Sequence, residues 1–454
     1  MTIIHARRAL LPEGWAEAVT VTLDGGRIAA VGTGAPAPAH AVRVGVLLPA
    51  PANIHSHAFQ RAMAGLTERR GPDPSDSFWT WRRLMYRFLE ALTPEDVTAI
   101  AAFVQMEMLE AGYGASVEFH YLHHAPGGAP YDNIAEMSAS IADAAAQSGI
   151  ALTLLPVLYQ QGGCDGRPLQ GGQTRFGNSD EQFARLVEGA EAALAPLPDD
   201  CRLGIAAHSL RAVTPQALDF AGALRPGAPF HMHLAEQIAE VEEVEAHLGA
   251  RPVRWLLDHA EIDARWCLVH CTQMERDETL ALARSGAVAG LCPITESSLG
   301  DGIFDGVAYL GAGGRFAIGS DSNIRISLSE ELRTLEYSQR LRDGSRAALA
   351  RPDKSTGRVL FEGACLGGAQ AAGRQAGAIA PGLIADLAAL DDQAISLTGR
   401  EGDALLDSWI FAGDDRLVSD VWSGGRHLVK DGRHIAREAI EAAWRAAAGR
   451  LTSS

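Results

Sequence analysis

Long apolar runs are missing from this sequence of 454 residues. No stretch reaches the roughly 18 apolar residues that a membrane-spanning helix needs. Residues 1–8 also lack the basic and then apolar layout that is typical of a secretory signal peptide. These absences make the cytoplasm the expected location and argue against a membrane partner.

Cysteine and positive charge are also scarce. The sequence has six cysteines, namely Cys164, Cys201, Cys267, Cys271, Cys292 and Cys365. They lack the paired spacing of a zinc ribbon, so free and mostly buried thiols are favoured, with Cys267 and Cys271 as metal ligands the weaker alternative. The net charge of −17 argues against nonspecific attraction to nucleic acid. An anionic substrate would therefore need local arginines.

Short apolar runs, by contrast, recur along most of the chain. Between about residues 47 and 325 they alternate with Ala/Glu/Leu-rich stretches of helical period, such as 94–111, 132–148 and 180–195. The eight runs are residues 46–57, 116–121, 150–159, 203–209, 230–236, 267–271, 288–293 and 316–321. Eight strand–helix units predict an α/β fold, the (β/α)8 TIM barrel, for which the chain is long enough.

The two chain ends share a different pattern of short strands and turns. Residues 1–46 contain Asp24-Gly-Gly-Arg27 between apolar runs, which is a β-hairpin signal. Residues 376–454 return to turns and strands, and they close with a predicted helix at about 435–450. We expect both ends to form one small β-sandwich domain beside a catalytic barrel at 47–375.

Histidines and a carboxylate fall where predicted strands end. His55 and His57 close the first strand, His233 the fifth, His270 the sixth and Asp321 the eighth. The spacing of His55 and His57 sends both imidazoles to one face of a strand. Each histidine alone would be interpreted as a hydrogen-bonded core residue. Five such residues at the strand ends that carry barrel active sites favour a metal site instead.

The proposed metal ligands are His55, His57, His233 and Asp321. Three imidazoles and one carboxylate suit a single zinc ion, with iron or another divalent metal left open, and a water at an open position would have its pKa lowered towards ~7. Glu236 can carry a proton from that water to a leaving amine, with help from Asp321. Its alternative role is a carboxylate at a helix N-terminus. His270 can hydrogen-bond the water or the tetrahedral centre.

This order of residues resembles the amidohydrolase superfamily over nearly the whole chain. The end of the fourth predicted strand reads Ala206-Ala-His208-Ser, without the lysine or glutamate that bridges two metals in some members. The resemblance therefore implies a one-metal, deaminase-like enzyme.

Four segments are similar to a narrower family, the formimidoylglutamate deiminases. They are NIHSHAFQRAMAG at 53–65, SFWTWR at 77–82, EFHY at 118–121 and AHSLR at 207–211. The resemblance implies hydrolysis of the formimidoyl C=N bond of N-formimidoyl-L-glutamate in histidine degradation, with release of ammonia and N-formyl-L-glutamate. It also implies that Gln60, Tyr121 and His208 contact the substrate, although Tyr121 could instead be a core residue.

Two arginines match the two carboxylates of such a substrate. Arg82 and Arg211 can each offer a planar, bidentate fork to one carboxylate. Arg83 is adjacent, so which of the pair points inward stays open, and Arg82 could instead stack on a neighbouring tryptophan at the surface. The aromatic stretch 78–81 suggests a lid or a subunit contact, and a homodimer is our expectation.

Several neighbouring residues have weaker assignments. Ser322 and Asn323 can shape the floor near the eighth strand, although Asn323 could simply cap the next segment. His120, His123 and His124 are interpreted as structural or solvent-facing. Two rival functions remain. One is a deaminase of purines or related heterocycles, which would not need two arginines, and the other is a non-catalytic metal-binding barrel.

Overall fold

The computed structural model describes residues 1–68 and 85–453. Arg82, Arg83 and the aromatic stretch 78–81 lie outside these residues, so their roles stay predictions. Among the described residues no helix is long and apolar enough to cross a membrane. All six cysteines are free thiols, as predicted.

Strands from both ends of the chain form one sheet. The N-terminal strands are β1 (Thr2–Leu11), β2 (Gly14–Asp24), β3 (Arg27–Gly32) and β4 (Val42–Pro49). The predicted hairpin joins β2 to β3, and Gly25 and Gly26 supply its φ angles of 53° and 80°, which residues with a side chain rarely adopt.

The barrel strands follow in the chain. They are β5 (Ala52–Ser56), β6 (Ala115–His120), β7 (Ala151–Leu158), β8 (Arg202–Leu203), β9 (Ile205–Ala207), β10 (Phe230–Leu234), β11 (Trp266–His270), β12 (Val288–Leu291) and β13 (Arg315–Ile318). Neighbours pair in parallel, with the short β8 and β9 sharing the fourth position. A parallel bridge between Ser56 and Asp321 joins the first strand to the end of the eighth. The predicted barrel is thus confirmed.

Helices cover the outside of the barrel. They are α1 (Pro94–Glu110), α2 (Glu136–Ser148), α3 (Asp180–Leu194), α4 (Pro215–Leu224), α5 (Ile238–Leu248), α6 (Pro252–His259), α7 (Arg276–Arg284), α8 (Pro293–Leu299), α9 (Gly306–Gly311), α10 (Leu328–Asp343), α11 (Thr356–Ala371), α12 (Asp403–Ala412) and α13 (Arg437–Ser453). Local sequence sets several ends. Thr93 and Asp96 form a capping box at α1, and Gly149 ends α2 in a left-handed conformation.

Because helices cover the outer face and side chains fill the inside, barrel strands such as β6, β7 and β10 are buried along their whole length. Such strands appear in the sequence as continuous apolar runs rather than alternating ones. One predicted run, 46–57, is divided between two sheets. Pro49 ends β4 in the small sheet, Pro51 has no N–H to donate, and β5 then starts the barrel.

The remaining strands complete the small domain. They are β14 (Leu387–Leu390), β15 (Val418–Ser423), β16 (Arg426–Lys430) and β17 (Arg433–His434). The eight strands are hydrogen-bonded in the order β17-β16-β15-β14-β4-β1-β2-β3. Both ends therefore build one β-domain, as predicted, but as one continuous sheet rather than two separate sheets. Ile4, Val21, Leu387 and Trp422 belong to its own core.

Buried charges join this sheet to the barrel. Arg374 donates to both carboxylate oxygens of Asp386 at 2.8 to 3.0 Å, and both side chains are almost completely buried. Asp386 also accepts from the N–H of Gly424 at 2.8 Å, and Arg426 binds Asp200 next to the start of β8. Removing one partner of a buried ion pair costs more stability than forming the pair contributes, because the other charge is then left buried without a partner. These contacts therefore fix how the two parts meet at the N-terminal end of the fourth strand.

Candidate active site

The backbone turns abruptly where three barrel strands end. Ala235, His270 and Asp321 have φ angles of 51°, 73° and 48°, a region that residues other than glycine rarely adopt. The strand ends hold this conformation through hydrogen bonds. The N–H of Asp321 donates to the carbonyl of His55 at 2.8 Å, and the N–H of His57 donates to the carbonyl of Asp321 at 2.9 Å. The first and eighth strands therefore present their side chains to one point.

A buried polar network supports the same corner. The Asn53 amide donates to Ser320 at 2.7 Å, and the Ser320 hydroxyl donates to Asn323 at 2.6 Å. The Asn323 amide in turn donates to Ser56 and to the carbonyl of Asp321, both at 3.1 Å. Asn323 therefore holds the floor of the site and does not cap the next helix, whose cap is Ser327.

Three imidazoles and one carboxylate converge at this corner. His55 Nε2 lies 3.0 Å from His233 Nε2 and 3.5 Å from Asp321 Oδ1, while His57 Nε2 lies 3.2 Å from the same oxygen. Ligands bound tetrahedrally at zinc distances would be about 3.3 Å apart. The donor set and its spacing therefore fit one metal ion. The ligand atoms of His55, His233, His270 and Asp321 also lie within 4.8 Å of one another, so His270 is a second candidate for the third imidazole.

Carbonyl oxygens orient two of these imidazoles. His57 Nδ1 donates to the carbonyl of Phe119 at 3.0 Å, and His233 Nδ1 donates to the carbonyl of His208 at 3.1 Å. Because Nδ1 carries the proton in each ring, the Nε2 lone pair is free for a metal. Burial lowers the pKa of His55 to about 3 and that of His233 well below its ordinary value. Neutral imidazoles, the form that binds metal, are therefore favoured.

His270 lies among carboxylates. Its Nε2 is 3.8 Å from Glu236 Oε1 and 3.9 Å from Asp321 Oδ2, and its Nδ1 is 3.3 Å from Glu296 Oε1. Burial by itself would lower the pKa of His270, but these three carboxylates raise it well above its ordinary value. His270 is therefore suited to donate hydrogen bonds into the site, and the role given to it by the sequence stays a prediction.

Glu236 faces the cavity from the end of the fifth strand. Its side chain is buried, and its N–H donates to Glu240 Oε2 at 3.0 Å. Burial raises the pKa of Glu236, which suits a group that must both accept and return a proton. The Glu236 side chain lines the cavity in front of α5. This position favours a role in the site over the alternative role of a carboxylate that only stabilises the helix N-terminus.

A cavity opens above the cluster, and its lining combines aromatic side chains with a few polar groups, as is typical of small-molecule sites. The predicted site residues that line it are His57, Gln60, Tyr121, His208, Arg211, His233, Glu236, His270 and Asp321. His55 is fully buried beside them. The structure therefore brings together every predicted site residue that it describes.

The predicted substrate contacts Gln60, Tyr121 and Arg211 are polar groups in the lining of the cavity. The Gln60 amide donates to the Tyr121 hydroxyl at 2.8 Å, while Gln60 Oε1 is buried and has no partner among the described residues. Arg211 Nε is likewise buried without a partner in that part of the chain. Burial would lower the pKa of Arg211, but nearby acidic groups, Glu240 first, raise it. A charged guanidinium with spare donors therefore lines the same cavity as the histidines.

Five further residues line the cavity that the sequence did not indicate. They are Met85, Tyr86, Tyr159, Phe176 and Leu299. Tyr159 could have been found, because it ends the third predicted run as the histidines end theirs. Ser322, whose hydroxyl lies 2.9 Å from that of Thr295, lines the cavity as expected.

The histidines following β6 have structural roles. His123 Nε2 donates to the carbonyl of Val157 at 3.0 Å, and His124 Nε2 donates to that of Gly177 at 2.7 Å. Both side chains are buried, as is His120, so the structural alternative holds and the solvent-facing one does not.

Family models match almost the entire chain. Residues 46–428 match the model of the Amidohydrolase family, and residues 1–43 match that of "Formimidoylglutamate deiminase HutF, N-terminal domain". The formimidoylglutamate deiminase of Pseudomonas aeruginosa is 49% identical over 443 residues, which cover 96% of this chain and 97% of that protein. The 8-oxoguanine deaminase of the same organism is 26% identical over 398 residues, or 85% of this chain and 83% of that one.

Solved structures share the fold. An amidohydrolase from Brucella melitensis superposes with a TM-score of 0.96 at 49% identity, and the match covers 100% of both chains. An adenosine deaminase from Xanthomonas campestris, solved with bound zinc, gives a TM-score of 0.84 at 22% identity over 100% of this chain and 99% of that one. The second likeness concerns the fold alone.

Proposed function

This chain belongs to the amidohydrolase family, and we propose that it hydrolyses the formimidoyl C=N bond of N-formimidoyl-L-glutamate, giving N-formyl-L-glutamate and ammonia in histidine degradation. The observation that carries this function is one cavity whose lining combines a histidine–carboxylate cluster with the charged, partly unpaired Arg211. The 49% identical relative named formimidoylglutamate deiminase supports the same substrate.

We assign His55, His57, His233 and Asp321 as ligands of one divalent ion, with zinc as the first choice and iron as the alternative. His57 is preferred to His270 as the third imidazole because His57 Nε2 lies 3.2 Å from the nearer oxygen of Asp321, whereas His270 Nε2 lies 3.9 Å from the other. An ion of this kind supplies Lewis acidity that lowers the pKa of a water molecule.

The protein's own groups then move the protons. Glu236 accepts one proton as the water oxygen bonds to the formimidoyl carbon, and it delivers that proton to the terminal nitrogen. His270 donates a hydrogen bond to the oxygen of the tetrahedral centre. As the C–N bond to the terminal nitrogen breaks, the remaining hydroxyl proton passes through the Asp321 carboxylate to that nitrogen. The products are ammonia and the N-formyl group of N-formyl-L-glutamate.

Substrate binding uses the remaining polar groups of the cavity lining. Arg211 offers a bidentate fork to one carboxylate, and Arg82 is proposed for the other. Gln60, Tyr121 and His208 are proposed to hydrogen-bond the substrate, because all three line the cavity. The Gln60 amide is bonded to the Tyr121 hydroxyl, and the ring centroid of His208 lies 4.5 Å from that of Tyr159.

Incubation with N-formimidoyl-L-glutamate and identification of both products tests this function. We expect N-formyl-L-glutamate and ammonia, in amounts that depend on added divalent metal. Glutamate and formamide would instead mean that the other C–N bond is cleaved. Release of ammonia that depends on metal would also dismiss the non-catalytic barrel.

Arg211 distinguishes the proposed substrate from a purine or related heterocycle, which the relative named 8-oxoguanine deaminase makes the second candidate. Replacing Arg211 with Met removes a charge-assisted contact of about 1.5–3 kcal/mol, so KM for formimidoylglutamate should rise roughly 10- to 100-fold. Steady-state kinetics measure this, with the surface residue Arg225, paired with Glu191, changed to Met as the control. An unchanged KM in the Arg211 variant would favour the heterocycle.

Other expectations stay predictions. They are the division at residues 46 and 375, the homodimer and the cytoplasmic location. The same holds for the absence of nucleic-acid and membrane partners.

A further inference from the structure

We propose that Glu296 is a positioning residue, which holds the His270 imidazole with Nε2 directed at the reacting centre. Glu296 belongs to α8, which follows the seventh barrel strand, and its side chain is buried behind His270. It does not line the described part of the cavity. The inference rests on the proposed function, because that function gives His270 its task.

One carboxylate oxygen makes two contacts. Glu296 Oε1 lies 3.3 Å from His270 Nδ1, and it accepts from the N–H of Cys292 at 2.8 Å. A carboxylate oxygen can accept this bond, so Nδ1 is the donor. The bond to Cys292 anchors the carboxylate at the end of β12. Glu296 therefore connects the seventh strand to the histidine of the sixth.

The ring of His270 needs such support because its backbone is unusual. His270 and Cys271 have φ angles of 73° and 52°, so the imidazole leaves the strand in a direction that the strand alone would not impose. The ring stacks on that of His233 with centroids 5.5 Å apart and planes 6° apart. Stacking fixes the plane of the ring. A half-turn about the Cβ–Cγ bond keeps that plane, however, and moves both nitrogens to the opposite edge of the ring.

Glu296 selects between the two flipped positions. With Nδ1 on Glu296, Nε2 faces Glu236 and Asp321 at 3.8 and 3.9 Å. Without an acceptor behind the ring, the buried N–H at Nδ1 would be unpaired at a cost of about 1–3 kcal/mol. The ring would then lose its preference for the orientation that the reaction needs.

A purely structural role is the alternative, since Glu296 also binds a backbone N–H beside the start of α8. Glu331 offers a matched comparison. Glu331 Oε2 accepts from the N–H of Ile294, which belongs to α8 as Glu296 does, at 2.8 Å. Glu331 is buried, and it makes no contact with His270. Replacing Glu296 or Glu331 with Leu therefore leaves one backbone donor near the start of α8 unpaired, but only the first change frees the imidazole.

The test combines these variants with His270→Ala. We expect Glu296→Leu to lower kcat roughly 10- to 100-fold with KM and metal content unchanged, as for other groups that orient a catalytic ligand. Glu296→Gln keeps an oxygen acceptor and should recover most of this loss, while Glu331→Leu should retain wild-type kcat. In the His270→Ala background, Glu296→Leu should have no further effect. An equal loss in that background, or an equal loss in Glu331→Leu, would overturn the proposal.

An independent readout separates this inference from the proposed function. In ¹⁵N spectra of histidine-labelled protein, with His270 assigned by comparison with His270→Ala, Glu296→Leu should shift the His270 nitrogen signals and Glu331→Leu should not. Unchanged His270 signals in Glu296→Leu would overturn the positioning role, whatever the substrate. Wild-type protein that releases no ammonia from N-formimidoyl-L-glutamate would instead reject the proposed function.

Discussion

Replacing Glu236 with Gln is expected to lower kcat by roughly 10²- to 10⁴-fold, the contribution typical of a positioned general acid–base group. The amide keeps the shape of the side chain but can neither take the proton from water nor return it to the leaving nitrogen. Glu236 is proposed to lie outside the ligand set, so the bound metal content should match that of the wild type. Steady-state kinetics and metal analysis of the purified variant measure both quantities.

Glu243→Gln provides the control for this change. Glu243 is on α5, which follows Glu236, but its carboxylate accepts from the N–H of Cys164 at 3.0 Å and pairs with Arg167 at 3.0 Å, outside the cavity lining. The Glu243→Gln change should leave kcat unchanged. Full activity in the Glu236 variant would remove this residue from the mechanism, and loss of the metal would make it a ligand instead.

The metal cluster was predictable because strand ends in a barrel meet at one face. His55, His57, His233, His270 and Asp321 were each placed at an end by apolar runs, and the structure brings all five together. The same rule applied to Tyr159, the last residue of the third run, would have added it to the site. An aromatic residue at such a position is, however, as compatible with core packing.

Residues that reach the site from loops gave no comparable signal. Phe176 lines the cavity because the preceding Arg175, fully buried, donates to the carbonyls of Leu92 at 3.1 Å and His124 at 2.7 Å. Those contacts join segments more than 50 positions apart in the chain. Glu296 was missed for another reason. A glutamate in the first turn of a helix is usually explained by the helix dipole alone.

Replacing His233 with Leu is expected to abolish metal binding and to lower turnover roughly 10³-fold or more, because Lewis-acid stabilisation of several kcal/mol is lost with the ion. Leucine is similar in size to histidine but has no ligand atom. His233 Nε2 lies 3.0 Å from His55 Nε2, so the variant leaves a gap in the middle of the donor set. Metal analysis and kinetics before and after addition of zinc measure the effect.

His231→Leu is the matched control, since His231 is buried on the same strand two residues earlier and faces the same side. Its Nε2 donates to the carbonyl of Ala371 at 2.8 Å and not to the cluster. This change should lower stability by about 1–3 kcal/mol, because the carbonyl is left unpaired. The folded fraction should nevertheless bind metal as the wild type does. Equal metal loss in both variants would mean that the first result reports general disruption of β10, and the assignment of His233 as a ligand would fail.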